Sequence, residues 1–153
     1  MRGSVMTTAV TLAAGALLTA AMSTATAGPP AGAPAPSRIT AGQPVLVDCL
    51  WQRTVRPDDF ILACGDGNSR LTGLDWSEWG PQGATAVGVN MLNDCKPYCA
   101  AGTFHAYPVT VRLDGPKPWK KHPSVQHYTR MSLTYTDARP EGFQQVVTYP
   151  LWD

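Results

Sequence analysis

The sequence predicts an all-β domain: a small antiparallel sandwich or partly open barrel of about seven strands, stapled by two disulfides. Three observations carry this prediction. Apolar and polar residues alternate with a period of two along most of the chain, and helical periodicity is weak. Turn residues recur at short intervals, at Asp66-Gly67-Asn68, Gly80-Pro81, Asp114-Gly115-Pro116 and Arg139-Pro140-Glu141-Gly142. Four cysteines supply the staples.

Residues 1–27 read as a secretory signal peptide. Met1-Arg2 leads into an Ala/Leu/Val-rich stretch from Val10 to Met22 and then reaches the small-x-small site Ala25-Thr26-Ala27. Thr11 and Thr19 interrupt the stretch, which falls short of the roughly 20 apolar residues of a membrane span. No cysteine follows the cleavage site to take a lipid. The expectation is a secreted, extracellular protein in an oxidising compartment.

Residues 28–44 are rich in proline, alanine and glycine and poor in large apolar groups, so a flexible tail is expected there. The remaining 45–153 fit a single β domain with a small core.

Val45, Val47, Cys49 and Trp51 alternate with Leu46, Asp48, Leu50 and Gln52, and Phe60, Leu62 and Cys64 continue the pattern after Arg56-Pro57-Asp58-Asp59. A hairpin centred between Arg56 and Pro57 would set Cys49 opposite Cys64 and Trp51 opposite Leu62, which predicts a Cys49–Cys64 disulfide. Cys95 and Cys99 would then join each other around Lys96-Pro97-Tyr98. Four cysteines allow three connectivities, and the other two would staple the hairpin to the 95–99 loop.

Strands are expected at Leu71 to Trp76, Ala84 to Met91, Phe104 to Leu113, Tyr128 to Tyr135 and Gln145 to Leu151. Tyr107, Val109, Val111 and Leu113 share one face of theirs, and Met131, Leu133 and Tyr135 share one face of theirs.

Charge and motifs narrow the function classes. Of 12 Lys and Arg, Arg2 and Arg38 precede the domain, so 10 face 11 Asp and Glu and no general case for nucleic acid or an anionic membrane follows. The one basic cluster, Lys117-Pro118-Trp119-Lys120-Lys121-His122, reads first as a solvated loop. The mature chain is expected to be a monomer without membrane or nucleic-acid partners.

A four-cysteine zinc site lacks Cys-x-x-Cys knuckles, and Cys-x-x-x-Cys is not a thioredoxin motif, so no metal or cofactor is expected. His105, His122 and His127 together with Ser69, Ser77, Ser124 and Ser132 could supply a base and a nucleophile. No Gly-x-Ser-x-Gly elbow frames them, however. Asp66, Asp75, Glu78 and Asp94 could include a glycosidase-like acid pair, whose separation the sequence does not give. Asp66-Gly67-Asn68 begins like a calcium loop and then stops. No catalytic residue is assigned; a small extracellular hydrolase remains an alternative.

Two surfaces stand out as binding candidates. Lys96 and Tyr98 lie in the 95–99 loop, which a disulfide would pre-order for docking. Lys96 would suit a trypsin-like pocket in a serine protease inhibitor, although Pro97 would then follow the scissile bond. Trp76, Trp79 and Trp119 are candidates for an aromatic platform facing an extracellular glycan or protein. Residues three apart fall on opposite faces of a regular strand, so one of Trp76 and Trp79 is expected exposed unless the chain turns at Ser77-Glu78. Trp119, among lysines, is expected exposed. The account preferred to a platform is that a small core recruits these large aromatics to gain burial.

The succession Leu62-Ala63-Cys64-Gly65-Asp66-Gly67-Asn68, Leu74-Asp75-Trp76-Ser77-Glu78-Trp79-Gly80, Asn93-Asp94-Cys95-Lys96-Pro97-Tyr98-Cys99-Ala100-Ala101-Gly102 and Tyr107-Pro108-Val109 resembles a family of small secreted proteins of actinomycetes. The resemblance covers about residues 45–135 and implies a single exported domain, with no activity or catalytic residue to carry over. A looser likeness is to the secreted subtilisin inhibitors of streptomycetes. The spacing of Cys49 and Cys64 is similar to that of their first disulfide, and Tyr107-Pro108-Val109 through Asp114-Gly115 is similar to a strand and turn of theirs. Their second disulfide closes a long loop, whereas Cys95 and Cys99 are four apart and no helix is evident here. The overall expectation is a secreted, non-catalytic binding domain.

Overall fold

The computed structural model describes residues 42–153; the expected signal peptide over 1–27 and the tail over 28–41 lie outside the described residues. The last positions assigned to the tail already belong to the fold. Pro44 is buried and its carbonyl accepts the Trp79 indole N–H at 2.8 Å.

The fold is all-β. In chain order the strands are β1 (Leu46–Val47), β2 (Arg53–Thr54), β3 (Phe60–Ile61), β4 (Ser69–Gly80), β5 (Gly83–Asn93), β6 (Phe104–Asp114), β7 (Lys117–Trp119), β8 (His122–His127), β9 (Arg130–Tyr135) and β10 (Val146–Pro150). Six of them form one antiparallel sheet in the order β10-β9-β6-β5-β4-β3, curled into a half-barrel. The pairs β1–β2 and β7–β8 are separate two-stranded ribbons, joined by a parallel bridge between Val45 and His127. These short ribbons raise the strand number above the expected seven. The one helical turn described is a 3-10 turn at Cys99–Ala101, and no helix among the described residues is long and apolar enough to cross a membrane.

The long strands follow from alternation. Val109, Val111 and Leu113 on β6 and Met131, Leu133 and Tyr135 on β9 are buried, with their neighbours turned outward. They pack with Leu71, Leu74, Trp76 and Trp79 of β4 and Ala84 and Ala86 of β5 in one core. A two-residue turn, Pro81-Gln82, links β4 to β5 and ends at Gly83, whose φ is +145°. A β-carbon there would meet the Leu113 carbonyl at 2.8 Å, so only glycine lets β5 lie against β6 at this point.

The Cys49–Cys64 and Cys95–Cys99 disulfides both form, but the hairpin from which the first was inferred does not. Leu46 pairs with Thr54 and Val47 with Arg53, while Phe60 and Ile61 pair with Leu71 and Arg70. The reason lies in Asp48, whose carboxylate accepts the N–H groups of Leu50 (2.8 Å) and Gln52 (2.7 Å). That turn reverses the chain about Leu50, six residues before Arg56, and the disulfide links two loops instead of two opposed strands.

Two expectations about tryptophan are corrected. β4 carries a bulge between Trp76 and Glu78, so one extra residue returns Trp79 to the face that Trp76 occupies. Both rings are buried, and their N–H groups donate at 2.8 Å to the carbonyls of Pro57 and Pro44. Trp119 is 1% exposed, packed against Val45 and Val47 in a second small core between the two ribbons. The 117–122 segment is therefore a ribbon with a buried indole and outward lysines, not a loop carrying an exposed ring.

Candidate functional site

The Cys95–Cys99 loop connects β5 to β6, and the two residues that end β5 hold it. Asn93, 8% exposed, accepts the Cys95 N–H through Oδ1 (3.0 Å) and donates through Nδ2 to the Cys99 carbonyl (2.8 Å) and to Asn68 Oδ1 (2.9 Å). Asp94 Oδ1 accepts the N–H groups of Lys96 (3.1 Å) and Thr103 (2.9 Å). Gly102 closes the loop where space is smallest: a β-carbon would collide with Asn93 Oδ1 and lie 2.8 Å from the Cys95 nitrogen.

The loop is fastened at both ends and free at its apex. Lys96, Pro97 and Tyr98 are all exposed, Tyr98 at 64%. Cys95 enters the loop at φ +52°, in the left-handed region that non-glycine residues seldom occupy. The hydrogen bonds around it hold it there.

Behind the loop lies a cleft of about 440 Å³ lined by Leu92, Asn93, Asp94, Lys96, His105 and Tyr107 on one side and Pro140, Glu141 and Phe143 on the other. The second wall comes from the turn between β9 and β10. Lys96 Nζ and Glu141 Oε2 face each other at 3.9 Å, both well exposed, which makes this a weak, salt-screened pair.

On the first wall His105 Nε2 stands 3.0 Å from Asp94 Oδ2. The Thr103 N–H, then the His105 ring and the Lys96 N–H, hold the Asp94 carboxyl down at about 2. Ionised Asp94 accepts from Nε2–H and leaves Nδ1 as the basic ring nitrogen. The cleft thus offers one oriented imidazole, a loosely paired cation and carboxylate, and two aromatic rings. None of its lining side chains is a serine, a threonine or a free cysteine. Among the described residues no three of His, Cys, Asp and Glu converge as metal ligands would.

Of the sequence candidates, the structure places Lys96 on the lip of this cleft and Tyr98 on the loop apex. Trp76, Trp79 and Trp119 lie in the two cores and form no surface platform. The pairing of Asp94 with His105, and the wall made by Tyr107, Glu141 and Phe143, were missed. The first depends on the β5–β6 register, which sets Leu92 opposite His105 and Asn93 opposite Phe104, so that a reversal around 95–102 carries Asp94 back beside the start of β6. The second had no signal in the sequence, because Glu141 and Phe143 reach the cleft only through the order of strands in the sheet.

Comparison with protein-family models, curated proteins and solved structures finds no match.

Proposed function

We propose that this chain is a secreted, non-catalytic recognition domain that docks an extracellular protein on the Cys95–Cys99 loop and the cleft behind it. The observation that carries this reading is the exposed Lys96-Pro97-Tyr98 apex on a loop tied by a disulfide and by the Asn93 and Asp94 hydrogen bonds. A loop already ordered avoids the entropy that a flexible loop loses on binding, about 0.5–1.5 kcal/mol per immobilised side chain. Tyr98 supplies a rigid amphipathic contact, and Lys96 and Glu141 supply charges of both signs beside it. Two disulfides in a small all-β domain, behind a leader with a small-x-small site, support secretion.

A panned peptide library, displayed against the oxidised protein with a Lys96→Ala/Tyr98→Ala variant as counter-target, tests the reading. Peptides that bind the parent and lose at least about tenfold on the variant support it, since a central interface contact is worth roughly 2 kcal/mol. Equal binding to both proteins refutes it. Titration against trypsin-like and subtilisin-like proteases separates the inhibitor form of this reading: stoichiometric inhibition lost in Lys96→Ala identifies the loop as a reactive site.

The Asp94–His105 pair supports a second reading, a small hydrolase with His105 as general base toward water. Turnover of p-nitrophenyl esters that disappears in His105→Ala, with folding intact, would favour it over the binding domain.

A further inference from the structure

We propose that the turn Asp48–Gln52 and the β7–β8 ribbon form a docking tip for an anionic lipid bilayer, a surface separate from the Cys95–Cys99 loop. Leu50 is 75% exposed, the most exposed large apolar residue described, and Trp51 and Ile61 are exposed beside it. Leu50 and Ile61 line a shared cavity of about 260 Å³ with Cys49 and Phe60. The apolar surface is therefore continuous from the turn to β3. A cluster of this kind on a small domain marks a contact surface.

The tip is built to keep these side chains outward. Asp48 accepts the N–H groups of Leu50 and Gln52, its own N–H donates to the Gln52 carbonyl (3.0 Å), and the Trp51 N–H donates to the Asp48 carbonyl (3.0 Å). Trp51 sits at φ +62°, a left-handed conformation that costs a bulky residue energy and that burial does not repay here, since the ring is exposed.

Charge identifies the partner. Lys121 Nζ lies 4.1 Å from the centre of the Trp51 ring, so the 119–122 turn brings its cations to the apolar tip. Lys120, Lys121 and His122 are exposed there, and Arg53 is exposed two residues beyond Trp51. The acids nearby are engaged: Asp48 with its turn, Asp59 on the wall of the same cavity with the Gly73 N–H at 3.3 Å, and Asp153 with Lys120 at 2.7 Å, so the charge offered to a partner rests on Lys121 and Arg53. Whole-chain charge is close to neutral, so this is a local property. Leucine and tryptophan rimmed by lysines match the boundary between lipid headgroups and acyl chains, where tryptophan settles and lysine reaches the phosphates. A soluble polyanion would leave Leu50 without a partner, and a sugar ring would find one face of Trp51 covered by Lys121.

Co-sedimentation of the full chain with vesicles of phosphatidylcholine, or of phosphatidylcholine with phosphatidylglycerol, tests the proposal at low and high salt. Binding is expected only to the phosphatidylglycerol vesicles and weakens with salt. Lys121→Ala lowers it about fivefold, and Leu50→Glu about tenfold or more. Both positions are exposed, so urea unfolding midpoints near the parent's confirm intact folding. Trp51 emission shifts to the blue on binding, and Trp51→Phe removes the shift. Absence of binding to anionic vesicles at low salt overturns the proposal, as does binding indifferent to Leu50→Glu. Equal affinity for dextran sulfate also overturns it and assigns the surface to polyanions. Lys96→Ala leaves vesicle binding unchanged, which keeps this test apart from that of the loop.

Discussion

The indole rings of Trp76 and Trp79 meet edge to face, with centroids 4.6 Å apart and planes at 79°, on one side of a strand whose alternation would have parted them. The bulge between Trp76 and Glu78 makes this contact possible, and Tyr128 extends it from Trp79 at 5.4 Å. Three large rings thus share the core beside the bulge.

Trp79→Ala is expected to destabilise the fold by about 3–5 kcal/mol, the range for deleting a buried aromatic side chain. Trp79→Phe keeps much of the packing but leaves the Pro44 carbonyl without its indole donor. Urea unfolding of both variants, with the alanine clearly the worse, checks this.

Gly102→Ala is expected to loosen the Cys95–Cys99 loop, because the new methyl group collides with Asn93 Oδ1 and backbone atoms of Cys95 cannot retreat from it. A loss of about 1–3 kcal/mol follows. Asn93→Ala removes three hydrogen bonds from the same place and costs about 2–3 kcal/mol. Amide exchange at Cys95 and Lys96 rises in both variants; unchanged exchange would show that the disulfide alone orders the loop.

Acid stability should depend on Asp94. Its carboxyl stands at about 2 in the fold against an ordinary 3.8, so its contribution is complete above the ordinary value and is lost as pH falls from 3.8 through about 2. Asp66 and Asp153, also lowered, act in the same direction. In Asp94→Asn the decline of unfolding free energy across this window should be shallower than in the parent; identical slopes would contradict the assignment.

Alkaline stability should depend on Tyr135. Its hydroxyl donates to Asn90 Oδ1 at 3.1 Å, and burial, with Tyr149 and Tyr107 adding to it, pushes the phenol well above its ordinary value of 10.0. A raised value means that the contribution is complete below 10.0 and is lost as pH rises beyond it. Tyr135→Phe leaves Asn90 Oδ1 without this donor at a cost of about 1–3 kcal/mol, and flattens the alkaline decline measured by circular dichroism.

Much of the fold was legible because its signals are local. Alternation along 104–113 and 130–135 reports which face of a strand is buried, and Gly80-Pro81 reports a turn, without knowledge of distant residues. The Cys49–Cys64 bond was legible from spacing, yet the hairpin offered as its reason is absent, since the Asp48 turn had already reversed the chain. The burial of Trp119 was hidden by its lysine neighbours, which say nothing of the valines of β1 that cover it. Of the candidate site, Lys96 and Tyr98 were readable from the cysteines around them.

The sequence by itself determined the all-β class, the long strands and the short loop between Cys95 and Cys99, because each rests on chemistry within a few neighbouring residues, whereas the Cys49–Cys64 bond joins two loops that lie fifteen residues apart and meet through the fold. Only the tertiary structure decided the cleft. Asp94 and His105 meet because β5 and β6 pair in one register, and Glu141 and Phe143 oppose them because the turn after β9 folds back over β6. Such meetings depend on strand order and sheet curl, which the packing of the whole core selects and no local pattern encodes.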